Sequence, residues 1–105
     1  GLVDIWLGHV HDVKVKHAPR LAALGGDDER HARLCELNVI EQVVNVAQTT
    51  IVRDAWQRGQ SVTLHGWIYG IHDGLLRDLH MTAERAEEVP RLYRASIGAR
   101  AGEAR

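Results

Sequence analysis

Cysteine is nearly absent from this sequence: Cys35 stands alone. That excludes an intramolecular disulfide framework and any cysteine-rich zinc knuckle built by this chain alone. Such sparing use fits a reducing compartment, and the expected location is cytoplasmic. No apolar run approaches the roughly 18 residues of a membrane span, so no membrane segment is expected. There is no excess of charge of one sign either. Lys and Arg number 13 against 14 Asp and Glu, for a formal charge of -1. Nothing therefore attracts nucleic acid or anionic lipid. The opening Gly1-Leu2-Val3-Asp4 has no initiator Met and no basic stretch ahead of an apolar core. It does not read as a signal peptide and looks more like the middle of a chain.

What is present suits one domain. The 105 residues are 45% hydrophobic and 26% charged, which excludes wholesale disorder and is too little for two domains. A chain of this size buries only about 65% of its unfolded surface, so missing partner surface would matter. The 7 histidines are a surplus that makes net charge sensitive to mild acid.

Apolar residues at Leu2, Trp6, Val10 and Val13 predict an amphipathic helix over 2–17, although the alternation Val13-Lys14-Val15-Lys16 also permits a short strand at its end. Pro19 interrupts or kinks that segment, and Gly25-Gly26 with Asp27-Asp28 form the break before the next helix. Residues 29–48 predict the strongest helix. Leu34, Leu37, Ile40, Val44 and Ala47 repeat at three and four, and Cys35, Val39, Val43 and Val46 widen the apolar arc. Roughly two-thirds of the helical wheel is apolar, leaving a stripe of Asn38, Glu41, Gln42 and Asn45. Glu36 projects into the apolar arc and needs a partner if it stays charged. A short helix follows from Ile51 to Gln57, stopped at Arg58-Gly59.

Residues 61–69 read as a strand, with Val62, Leu64 and Ile68 on one face and Thr63, His65, Trp67 and Tyr69 on the other. Bulk on both faces predicts an inner strand of a covered sheet. A turn at His72-Asp73-Gly74 returns 75–80 as an antiparallel strand. A last helix runs over 87–97 with Pro90 in its first turn, and 98–105 reads as a flexible tail. Two strands cannot cover a helix as apolar as 29–48, so the inventory looks like the second half of an α/β domain.

Two blocks carry a resemblance. Leu34-Cys35-Glu36-Leu37-Asn38-Val39-Ile40-Glu41-Gln42-Val43 and, after a gap, Gly66-Trp67-Ile68-Tyr69-Gly70-Ile71-His72-Asp73-Gly74-Leu75-Leu76 closely resemble the C-terminal half of β-class carbonic anhydrases. The stretch from Trp6-Leu7 to Lys16-His17 looks like that family's helix after the zinc-binding region, and Ala55-Trp56-Gln57-Arg58-Gly59-Gln60 matches its connection into the last parallel strand. The resemblance covers residues 1–97 and implies part of a single domain. It implies a mostly parallel sheet with an antiparallel edge strand, flanked by helices. It also implies homo-oligomers, dimers or tetramers, and reversible hydration of carbon dioxide to bicarbonate by zinc-bound water, whose pKa the metal lowers toward ~7.

The family draws its zinc ligands from an upstream Cys-x-Asp-x-Arg segment and a later His-x-x-Cys segment, and neither occurs here. No catalytic and no metal-binding residue can be carried over, so the zinc is expected to belong to the complete protein, with this portion supplying scaffold and subunit contacts. Some family members use a tyrosine matching Tyr69 in a non-catalytic bicarbonate pocket, and Tyr69 is the one candidate contact retained. Its usual Trp and Arg companions would lie upstream. Core packing is the plainer role for Tyr69 and Trp67.

The remaining residues offer weaker chemistry. His9 and His11 point about 200° apart on a helix, so only a strand would align them. His65, His72 and Asp73 could approach one another around the turn. Cys35 reads as a small core residue rather than a reactive thiol. Two other functions stay open: a stand-alone, non-catalytic interaction domain derived from the same fold, and an unrelated histidine-based metal module.

Overall fold

The computed structural model describes residues 1–70 and 73–98, apart from the side chain of Trp6. Five helices and two strands follow in the order α1 (Leu2–Lys16), α2 (Ala18–Ala22), α3 (Asp27–Ala47), α4 (Thr50–Gln57), β1 (Leu64–Tyr69), β2 (Leu76–Ala83) and α5 (Val89–Gly98). A single 3-10 turn at Ala86–Glu88 leads into α5.

The Val13–Lys16 alternation resolves as helix, and the break falls at His17, with Pro19 in the first turn of α2 where its missing N–H costs nothing. Asp27 and Asp28 are not in the break but in the first turn of α3 with Glu29, where carboxylates suit the helix dipole. Between α3 and α4, the Thr49 hydroxyl donates to Val46 O at 2.7 Å and accepts from Val52 N–H at 3.4 Å, closing one helix and capping the next. Gly59 takes φ +76° to stop α4, a conformation glycine adopts without penalty.

The strands form one antiparallel pair, and no parallel pairing occurs among the described residues. β1 begins at Leu64 rather than 61, because Val62 O is engaged by the Trp56 indole N–H at 2.9 Å and pairing ends at Leu64 opposite Ala83. β2 runs to Ala83, past the expected stop at 80. Its register shifts where Gly66 faces Met81 but Trp67 faces Asp78, so Leu79 and His80 form a bulge. His80 sits at φ 59°, and its N–H is held by Asp78 Oδ1 at 2.8 Å.

α3 packs on β1 and α5 on β2, on one face of the hairpin. The core joins Leu37, Ile40, Val43 and Ala47 of α3 to Leu79, Met81 and Ala83 of β2, with Val89, Val13 and Leu21 at its margins. Gly66 permits the closest approach: a Cβ there would lie 3.0 Å from Met81 Cβ and 3.2 Å from Val43 Cγ2. The opposite face is open. Trp67 is 49% and Tyr69 63% exposed, against the expectation of an inner strand, since β1 has a neighbour on one edge and helices on one face. The tail expected at 98–105 lies, after Gly98, outside the described residues.

Candidate functional site

The most elaborate polar cluster lies where α1, α3 and α5 meet. Its centre is Glu41, which the helical wheel assigns to a polar stripe and the structure buries. The carboxylate accepts from Lys16 Nζ at 3.0 Å and from the Tyr93 hydroxyl at 2.5 Å, and pairs with His17 Nε2 at 2.8 Å. Lys16 also sits 5.1 Å from the centroid of the Tyr93 ring. His17 is 1% exposed, and its Nδ1 has no hydrogen-bond partner among the described residues. Burial works against the Glu41 charge, but hydrogen bonds from Tyr93, His17 and Lys16 prevail and hold its carboxyl below the ordinary carboxylate range. Tyr93 and Glu41 in turn raise Lys16, while burial and Glu41 push the Tyr93 hydroxyl up. All four groups hold one another in place, so the arrangement is a structural junction rather than acid–base machinery.

A second buried pair answers the need of Glu36. Arg33 Nη1 donates to Glu36 Oε1 at 3.0 Å, and Arg33 Nη2 donates to Ser96 O at 2.7 Å and Ile97 O at 3.3 Å, closing the C-terminal turn of α5.

The chemistry-bearing residues singled out in the sequence are scattered. His9 and His11 are both exposed on α1. His65 Nδ1 lies 3.3 Å from Thr82 Oγ1 and its ring 5.2 Å from that of Trp67. Asp73 instead shapes the turn, accepting from Leu75 N–H at 3.0 Å and from Arg77 at 3.4 Å. His72 lies outside the described residues. Cys35 is half-buried, not a core residue, with His31 Nε2 3.9 Å from its sulfur. Tyr69 projects from the open face, beside the Gly74 turn.

Among the described residues, no three His, Cys, Asp or Glu side chains converge as metal ligands. The residues present therefore do not fit a zinc site of thiolates and imidazole, which needs three protein donors around one open position. No helix of the described residues is long and apolar enough to cross a membrane.

The sequence model of the carbonic anhydrase family matches residues 1–76. The chain belongs to that family. A carbonic anhydrase of Emericella nidulans is 38% identical over 81 residues, which is 77% of this chain and 36% of that protein. Among solved structures, a Coccomyxa β-carbonic anhydrase in complex with acetazolamide superposes with a TM-score of 0.79 at 36% identity, over 92% of this chain and 43% of that one. The chain is thus β-class in kind, and its helices and antiparallel pair are an α/β portion of that fold. It spans about a third of the length of that Emericella nidulans protein.

Proposed function

We propose that this chain is the scaffold- and contact-bearing portion of a cytoplasmic, zinc-dependent carbonic anhydrase that interconverts carbon dioxide and bicarbonate. The observation that carries this reading is the superposition over 92% of the chain on part of a β-carbonic anhydrase, joined to a family match over residues 1–76. Zinc would be held by ligands outside this chain, since its described residues bring no three donors together. The faces left open then have an assignment. The free edge of β1 and the exposed Trp67 and Tyr69 would receive the rest of the sheet, with Tyr69 as a candidate non-catalytic bicarbonate contact.

The exposed Leu2, Val3, Ile5 and Leu7 of α1 would meet a second copy, giving a homo-oligomer. An apolar run of that kind along one helix is seldom left to water.

The test compares this chain alone with the full-length protein. Zinc is measured by elemental analysis and hydration by stopped-flow pH change. The expected result is no stoichiometric zinc and no rate acceleration for the 105-residue chain, with both present in the full-length protein. One tightly bound zinc per isolated chain, with turnover, would overturn the assignment. A full-length protein with neither would favour the non-catalytic interaction domain.

A further inference from the structure

α5 packs on both β2 and α3, yet only Val89 and Ser96 of its 10 residues are buried, with Leu92, Tyr93 and Ile97 half-buried. Polar bonds complete its attachment. Arg33 Nη2 donates to Ser96 O and Ile97 O, and the Tyr93 hydroxyl donates to Glu41 Oε2. The Ser96 hydroxyl donates to the sulfur of Met81 at 3.7 Å.

The seat beneath stays balanced when α5 leaves it. Arg33 keeps Glu36 at 3.0 Å, and Glu41 keeps Lys16 at 3.0 Å and His17 at 2.8 Å. Breaking a buried ionic contact is costly when it strands a charge without a partner, and here no charge is stranded. The groups freed on α5 itself, a phenol and two carbonyls, pass into water. The entry to α5 supplies a hinge: Glu84 to Glu87 are exposed, and Arg85 is extended at φ -148° ahead of the 3-10 turn. Elements that bury little apolar surface open locally at a lower free energy than those of the core.

We infer that α5 is a strap that lifts from the fold as one unit, with Arg33 and Tyr93 as its clasps, and that its lifting uncovers the interior at Met81. Met81 is the single methionine of the sequence and is 0% exposed. Its sulfur meets the Ser96 hydroxyl, so the strap is its cover. Arg33 and Tyr93 are here positioning residues, acting on α5 and on no substrate.

The experiment uses the full-length protein and two readouts, amide hydrogen exchange along α5 and α3 and oxidation of Met81 by hydrogen peroxide, each located by peptide mass spectrometry. In the oxidation the thioether sulfur takes one oxygen from the peroxide, giving the sulfoxide and water. The expected result is exchange of the hydrogen-bonded amides of α5 faster than those of α3 by about tenfold or more, with Met81 oxidation following α5. Arg33→Lys keeps a charge for Glu36 but cannot also fork to two carbonyls. It should speed both readouts by about tenfold while α3 and β1 stay protected. Tyr93→Phe should shift both in the same direction by less. Arg91→Gln, on an exposed position of α5, should change neither. Wild-type α5 exchange that matches α3 overturns the strap, since α5 then opens only with the whole fold. Unaltered α5 exchange in a folded Arg33→Lys protein overturns the clasp. If that variant loses protection throughout, Tyr93→Phe decides, and unchanged α5 exchange there overturns the clasps equally. Faster α5 exchange with unaltered Met81 oxidation overturns the strap as the cover of Met81.

Discussion

Two buried glutamates show how differently one residue type is read from a sequence. Glu36 falls within an apolar arc, so its need for a partner follows from the pattern, and Arg33 one turn earlier supplies it. Removing one member of a buried pair leaves the other charged and unsolvated. Arg33→Ala should cost about 3–5 kcal/mol in urea unfolding, whereas a paired replacement of both residues by apolar side chains should cost much less. Glu41 is the opposite case, because its helix position predicts solvent while its partners arrive from α1 and α5. Its carboxyl is held below the ordinary range, so its contribution is present above the unfolded value of about 4.3 and disappears as pH falls through the lowered folded value. Stability should therefore drop on acidification. The deficit of Glu41→Gln relative to wild type should be largest near neutrality and narrow below about pH 4, as read from unfolding curves across a pH series.

At the level of elements, the helices follow their local signals closely. Thr49, Gly59 and Pro90 each punctuate the chain where their chemistry suggests. The hairpin follows less well, because strand limits depend on the partner strand and not on the strand itself. β2 extends to Ala83 because its bulge lets pairing resume beyond His80, and no alternation of residues announces a bulge. Gly66 is the position where the hairpin meets α3. Gly66→Ala would push a methyl group against Met81 and Val43 and should destabilise by about 1–3 kcal/mol in denaturant unfolding, through overpacking where both side chains must give way.

For the whole molecule, the decisive quantity is uncovered apolar surface. Among the described residues, two strands beside a very apolar helix leave an open hairpin face and an exposed first helix. Exposed substitutions seldom change the stability of the fold that carries them. Ile5→Asp should accordingly leave the unfolding midpoint of the full-length protein nearly unchanged while weakening its self-association. Sedimentation equilibrium checks this, and a variant that associates as wild type would remove α1 from the subunit contact.

Periodicity and punctuation in the sequence alone determined where α1, α3, α4 and α5 lie to within a few residues, though not the short α2, that a hairpin turns at Asp73-Gly74, and that Glu36 needs a partner. They could do so because helix periodicity, capping and turn chemistry act over a few residues. The resemblance carried by two blocks points to the family, and the family match over residues 1–76 shows it. Only the tertiary structure decided that Glu41 is interior, that Cys35 is not, and that Trp67 and Tyr69 face outward. Burial is a property of what packs against a residue, and for Glu41 one of those partners, Tyr93, lies 52 residues further along the chain.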